Sequence, residues 1–261
     1  MDNFHLPFGI DGCRYEYAQD GSKLWNFDDL KASKAPYEVK FAALRTGVSW
    51  GYADAWFGRS WNELKRIEIP RVAYHVIYFG EDAKKQLDNM WRIIGEDWDN
   101  AHDRICIDLE VEGHNDKYTC TRTTDRILQI LNSQTSRYPI CYARAEWVNR
   151  CLAIGDLPGE LDWWLAQYRE KVKAPLVYTP EYLCPPTLPK GVKRWFMHQT
   201  SQFMPTIGGG GSQFMDYNRF NGTYGELRKY FGYEKAEEPT DDLVTRVSKL
   251  EQRVTQLEDA M

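Results

Sequence analysis

No Cys-x-x-Cys pair occurs in this chain of 261 residues, and its six cysteines, at positions 13, 106, 120, 141, 151 and 184, are scattered singly. That spacing suits neither a zinc site nor a dense disulfide framework, and it predicts reduced thiols. Cys106 and Cys141 fall inside apolar runs and read as buried small hydrophobes. No Gly-x-Gly-x-x-Gly turn or phosphate loop follows the first strand-like run; Phe8-Gly9-Ile10-Asp11-Gly12-Cys13 places an acid there instead. No stretch approaches the roughly 20 apolar residues of a membrane span, so no membrane partner is expected. Basic clusters are absent and the net charge is −5, which argues against a nucleic-acid partner. The first five residues have neither the basic nor the apolar region of a signal peptide. If the protein acts outside a cell, something other than a cleaved signal is expected to release it.

Aromatic residues, by contrast, make up 14% of the chain, with ten Trp and sixteen Tyr. Flat rings of this kind stack on sugar faces in carbohydrate clefts, although most are better read as large core side chains. At 43% hydrophobic and 27% charged, the chain has an ordinary globular composition with room for one large domain and a small appendage.

The most informative stretch is Arg104-Ile105-Cys106-Ile107-Asp108-Leu109-Glu110. Side chains two apart on a strand share a face, so Asp108 and Glu110 are expected side by side, about 7 Å apart along the strand. Ile105, Ile107 and Leu109 would then point into an apolar layer. Two carboxylates held together cannot both ionise freely; one is raised and can act as an acid at neutral pH. Asp-x-Glu also arises by chance at strand ends, so the pair alone does not define a site.

Strand-like runs at 8–13, 39–45, 71–78, 104–110, 138–142, 162–168 and 193–199 alternate with helical patterns at 55–67, 81–94, 121–132 and 145–152. In 121–132 the stripe Ile127, Leu128, Ile130, Leu131 follows the cap-type residues Thr123, Thr124 and Asp125. This rhythm implies parallel βαβ units in a barrel or a doubly wound sheet. From Asp162 onward strands follow one another across Pro- and Gly-rich loops, including four glycines at 208–211. The fit is an α/β fold: an irregular, TIM-like β/α barrel with extra C-terminal strands. Asp11, Asp108 and Glu110 close strand-like runs, and Asp216 sits in Phe214-Met215-Asp216-Tyr217-Asn218 near the end of the main domain. The mouth of such a barrel gathers strand ends, so the four acids could line one pocket.

The composition changes after Tyr233. Residues 1–233 read as the barrel and the polar, Pro-terminated 234–240 as a linker. Residues 241–261 form a short coiled-coil helix with Leu243, Val247, Leu250, Val254, Leu257 and Met261 in heptad spacing. Arg246 and Arg253 fall at g, Glu251 and Glu258 at e. Self-association would cover this seam. Val at a with Leu at d favours a dimer, whereas the repeated Arg-Val-x-x-Leu-Glu resembles short trimeric coiled coils; a homotrimer is favoured over a dimer.

With these landmarks in order, the chain resembles the glycoside hydrolase family 25 lysozymes, the muramidases of phages, bacteria and fungi, from about Phe8 to about Tyr233. Phe8-Gly9-Ile10-Asp11 is similar to the family's opening strand. Phe41-Ala42-Ala43-Leu44-Arg45, with Gly51 and Asp54 downstream, is similar to its second strand and loop. Val72-Ala73-Tyr74-His75 and Ile107-Asp108-Leu109-Glu110 match its Tyr-His and Asp-x-Glu strands. Pro139-Ile140-Cys141-Tyr142, Trp164-Leu165-Ala166-Gln167-Tyr168, Gln199 and the run from Asp216 to Gly222 complete the series.

The resemblance implies an irregular barrel that cleaves peptidoglycan between N-acetylmuramic acid and N-acetylglucosamine without a cofactor or metal. Glu110 would protonate the glycosidic oxygen, and Asp108 would orient the substrate's N-acetyl group or stabilise the charge it develops. Asp11 and Asp216 would support the site. Tyr74, Tyr142, Trp164, Tyr168 and Gln199 are candidates to line the sugar cleft. A pair on one strand is too close for inversion, so net retention is favoured, with the substrate's acetamido oxygen attacking.

Three positions depart from the family pattern: Gly12-Cys13 after the opening acid, His198 before Gln199, and the loosening glycines at 208–211. The missing signal segment implies a phage-encoded lysin, made in the host cytoplasm and released to the wall or carried on a virion. One alternative is a non-catalytic phage tail or wall-binding protein that keeps the barrel and is multimerised by its C-terminal helix. Another is a metal-dependent hydrolase built on His75, Asp108, Glu110 and His114, which has no His-x-His or His-x-x-x-His spacing to support it.

Overall fold

The computed structural model describes residues 6–16, 25–111, 113, 115–168 and 185–233. The proposed linker, the heptad segment, Cys184 and His114 lie outside the described residues.

Nine strands are described: β1 (Phe8–Gly12), β2 (Val39–Val48), β3 (Tyr52–Ala53), β4 (Arg71–Val76), β5 (Arg104–Asp108), β6 (Ile140–Ala143), β7 (Trp163–Ala166), β8 (Met197–Pro205) and β9 (Phe214–Phe220). Their order is β1-β9-β8-β7-β6-β5-β4-β2-β3, and a further β1–β2 pairing closes eight of them into a barrel, with β3 a hairpin extension of β2. Within the barrel, pairing is parallel among β1, β2, β4, β5, β6, β7 and β8, β9 runs antiparallel to both of its neighbours, and β3 is antiparallel to β2. The irregular barrel expected from the sequence is therefore present, its last strand reversed.

Alternation within each strand builds two apolar layers. Ile10, Leu44, Ala73, Ile105, Ile107, Cys141, Trp163 and Leu165 join the layer that packs against the helices. Phe41, Ala43, Val72, Cys106, Ile140, Tyr142 and Trp164 fill the barrel interior. The strands carry the side-chain period of two on which the expectation for 104–110 rested. The glycine at position 9 is required by this packing, since a Cβ there would lie 2.4 Å from the fully buried Phe41 ring.

The helices are α1 (Phe27–Lys31), α2 (Phe57–Arg66), α3 (Ala83–Ile94), α4 (Lys117–Thr135), α5 (Ala145–Cys151) and α6 (Tyr224–Tyr230). Helix α2 buries Phe57, Trp61 and Leu64 at helical spacing, while Arg59, Lys65 and Arg66 stay exposed. Helix α4 is longer than expected. Its N-cap is Asp116, whose carboxylate accepts from the Thr119 N–H at 2.7 Å. Thr123 and Thr124 lie inside the helix instead, and the Thr124 hydroxyl donates to the Cys120 carbonyl at 2.9 Å. A threonine that bonds back one turn does not need to cap.

Helix α6 closes the end of the barrel at which the parallel strands begin. Leu227 and Phe231 enter the interior layer, and Tyr230 packs on Phe196 at 4.5 Å. Thr223 and Glu226 form a capping box at its start. Near the same end, Arg71 makes a buried ion pair with Asp103 at 2.7 Å and stacks over Trp61 at 4.0 Å. The carboxyl ends of the parallel strands form the opposite mouth.

Several boundaries differ from those expected. Strand β5 stops at Asp108, two residues short of Glu110, and β8 begins at Met197 rather than at residue 193. Strands β3 and β9 and helices α1 and α6 were not among the expected elements. The glycine loop is anchored rather than loose: the Gly208 carbonyl accepts from the Asn26 N–H at 2.6 Å, and a Cβ on Gly208, whose φ is 77°, would meet the Asn26 carbonyl at 2.8 Å. The five described cysteines are free, and Cys106 and Cys141 are buried, as their apolar surroundings implied. Among the described residues no helix is long and apolar enough to cross a membrane.

Candidate active site

The mouth is assembled from one parity of residues on several strands. On β1, Phe8 and Ile10 face the helices, which leaves Asp11 facing inward at the strand's end. On β9 the same alternation turns Met215 and Tyr217 outward and Asp216 and Asn218 inward. Because β9 is antiparallel, its beginning lies level with the end of β1, and Asp11 pairs with Asp216 in register. Two acids more than 200 positions apart therefore meet through strand reversal.

Gln199 ties them together. Its Nε2 donates to Asp11 Oδ2 at 2.8 Å and to Asp216 Oδ2 at 3.2 Å. Its Oε1 accepts from the Tyr142 and Tyr168 hydroxyls, each at 2.7 Å. Asn218 Nδ2 donates to the same Asp11 oxygen at 2.7 Å, while its Oδ1 accepts from Trp164 Nε1 at 2.8 Å. Tyr142, Trp164 and Gln199 are buried and make the floor, whereas Tyr74 and Tyr168 are partly exposed and make the wall. Tyr74 meets Trp164 edge-on at 6.4 Å.

Asp108 closes β5, and its Oδ1 accepts from the backbone N–H of Glu110 at 3.2 Å. That bond turns the chain out of the strand and lifts Glu110 to the lip, where its side chain is 38% exposed. Leu109 is fully buried in the helix-facing layer, as expected, so Asp108 and Glu110 remain on the same side. Burial pushes Asp108 well above the carboxylate range, and the charges of Glu110 and Asp11 add to it; the Glu110 N–H and Arg45 pull the other way. Burial also raises Glu110, opposed by Arg144. The pair therefore titrates as a unit that holds a proton above the normal carboxylate range.

Two arginines that were not among the expected site residues flank the pair. Arg45 shares the inward parity of Phe41 and Ala43 on β2, and it is fixed by an ion pair with Asp54 at 2.9 Å. Arg144 follows β6 directly and places Nε 3.9 Å from Glu110 Oε2. Counting parity along β2 would have found Arg45. Asn218 lies in the landmark run from Asp216 to Gly222 without standing out there, and nothing in the sequence marks Arg144; both take their roles from neighbours distant in the chain.

His75 does not belong to the mouth. It is fully buried, with Nε2 2.8 Å from the Ser49 carbonyl and Nδ1 2.7 Å from the Thr46 hydroxyl. Burial lowers its pKa to about 4, so the neutral ring donates from Nε2 and accepts at Nδ1. Among the described residues no group of three His, Cys, Asp or Glu side chains could hold a metal ion. His198 also faces away from the mouth, its Nε2 3.0 Å from the Gln167 carbonyl, so this departure from the family pattern does not reach the acids.

Residues 15–207, more than half of the chain, match the model of the family described as glycosyl hydrolases family 25. No curated protein sequence matches the chain significantly. Among solved structures, a family 25 glycosyl hydrolase from Bacillus anthracis superposes with a TM-score of 0.67 at 18% identity, covering 90% of this chain and 96% of that one. The bacterial lysozyme from Streptomyces coelicolor gives 0.66 at 20% identity, covering 87% and 97%. The catalytic domain of endolysin ply40 from bacteriophage P40 of Listeria monocytogenes gives 0.60 at 15% identity, covering 87% and 98%. With that match spanning most of the barrel, the chain belongs to glycosyl hydrolases family 25 and is a glycoside hydrolase.

Proposed function

We propose that this glycoside hydrolase is an N-acetylmuramidase: it cleaves the β-1,4 bond between N-acetylmuramic acid and N-acetylglucosamine in peptidoglycan, with net retention. The observation that carries this reading is the acid set at one mouth, with Glu110 at the lip above the more deeply buried Asp108. Glu110 is placed to protonate the leaving oxygen. Asp108 sits below it, where the substrate's N-acetyl group would be oriented for attack on the anomeric carbon. Asp11 and Asp216, bridged by Gln199, hold the floor. Tyr74 and Tyr168 supply the partly exposed rings for the sugar faces.

Mass spectrometry of digested peptidoglycan tests this directly. New reducing ends on N-acetylmuramic acid are expected, and the β-anomer is expected first. Reducing ends on N-acetylglucosamine would overturn the bond assignment. Walls left uncut would favour the alternative of a non-catalytic tail or wall-binding protein.

The heptad segment supports a second part of the proposal: residues 241–261 assemble the chain as a homotrimer and raise avidity for a polymeric wall. Deleting them is expected to reduce the solution mass from trimer to monomer and to weaken wall binding, with cleavage of soluble fragments unchanged. A truncated protein that binds walls as tightly as the full chain would refute the avidity role. A phage-type lysin, released to the wall or carried on a virion, is the setting this combination fits.

A further inference from the structure

We propose that Arg144 is a positioning residue for the general acid: from its place after β6 it holds Glu110 at the lip, couples it to the floor network, and sets the upper pH limit of catalysis. The inference rests on the muramidase reading above. Arg144 is the residue at which β6 gives way to α5, and it makes no side-chain cap to that helix. Its Nε lies 3.9 Å from Glu110 Oε2, and its guanidinium sits 5.3 Å from the centre of the Tyr168 ring. Tyr168 in turn donates to Gln199, which holds Asp11 and Asp216. One cation thus joins the proton donor to the residues that fix the floor.

The charged and titratable groups around the pair come from several elements. Asp108 faces Glu110 from β5, Tyr142 from β6, Arg144 from the residue after β6, and Tyr168 from two residues after β7. Asp11 on β1 and Arg45 on β2 act on Asp108, and Asp216 on β9 acts on Tyr168. Glu112 and His114, close to Glu110 in sequence, lie outside the described residues. Arg45 favours negative charge on Asp108, and Arg144 favours it on Glu110. Removing Arg144 should therefore move the shared proton towards Glu110 and keep it there to higher pH. Side-chain exposure of 53% at Arg144 and 38% at Glu110 screens the effect. A displacement of about half a pH unit is expected.

The experiment compares kcat/KM against pH for the full chain, Arg144→Gln and Arg144→Lys on soluble peptidoglycan fragments. The alkaline limb is expected to move up by about half a pH unit in Arg144→Gln and to stay in place in Arg144→Lys. About 1 M salt, with a Debye length of about 3 Å, should move the unmodified protein in the same direction and Arg144→Gln hardly at all. Carbon NMR titration of the Glu110 carboxyl, assigned with Glu110→Gln, reads the same displacement without turnover. An unmoved limb together with an unmoved carboxyl titration would overturn the role of Arg144. A moved titration in a protein that never cuts walls would overturn the muramidase reading instead. Should Arg144→Gln not fold, the salt arm on the unmodified protein decides: an alkaline limb insensitive to salt counts against the proposal.

Discussion

Glu110→Gln is expected to lower wall-clearing activity by about 10²–10⁴-fold, the range typical for loss of a positioned general acid. The amide matches the carboxyl in shape but carries no proton that can pass to a leaving oxygen. Folding should survive, because the side chain stands partly exposed at the lip and its described ion pair is the one to Arg144 at 3.9 Å. Turbidity clearing of Gram-positive walls measures the effect, with circular dichroism to verify the fold. A variant that keeps activity within about threefold would remove Glu110 from the chemistry and leave the mouth without its proton donor.

Asp108→Asn is expected to do two things at once: reduce activity by about 10²-fold or more and raise the melting temperature at neutral pH. On the proposed mechanism, the activity loss follows from removing the charge that would face the substrate's N-acetyl group. The gain in stability follows from burial. Asp108 titrates higher in the folded protein than in the unfolded chain, mainly because it is desolvated and because Glu110 and Asp11 lie near. For such a group the folded state is favoured at low pH, where the carboxyl is neutral in both states, and that advantage is lost as pH rises through the folded value. Asparagine removes the cost of ionisation and can still accept the Glu110 N–H.

Each tenfold change in ionisation constant is worth about 1.4 kcal/mol. A gain of that order corresponds to about 3–6 °C in a domain of this size. The difference between variant and unmodified protein should shrink towards zero below about pH 4, where an unfolded aspartate is also protonated. Calorimetry at several pH values tests this. A lower melting temperature at pH 7, or a difference independent of pH, would show that the Asp108 carboxylate is stabilising where it stands.

The two carboxyls also show where pattern reading was sound. Period-two alternation correctly placed Leu109 in the apolar layer and Asp108 and Glu110 on the other side. It placed both on the strand, however, and β5 ends at Asp108. The carboxylate that terminates the strand does so by accepting the N–H of Glu110, a competition between side chain and ladder that no hydropathy pattern records.

Strand β9 is the larger omission, and it has a functional cause. Phe214-Met215-Asp216-Tyr217-Asn218-Arg219-Phe220 alternates properly, but its inward side carries Asp216 and Asn218 where a barrel core would carry apolar residues. Those polar residues line the candidate site, so the segment lacks the apolar inward face by which a core strand is recognised.

The heptad spacing of residues 241–261 illustrates the converse: it is a pattern of seven residues that can be read along the sequence alone, and the helix it implies remains part of the proposal.

By itself, then, the sequence determined the barrel class, the burial of Cys106 and Cys141 and which four acids to look for at one mouth, because these depend on local periodicity, residue chemistry and ordered family landmarks. The tertiary structure decided the rest. It reversed β9 so that Asp216 meets Asp11, and it hung Gln199 between them. It placed His75 in a neutral buried network away from the mouth, and it brought Arg144 to Glu110. Each of these depends on through-space distances of a few ångströms between residues on different strands or their connecting loops. Closure of the barrel sets those distances, and spacing along the chain does not encode them.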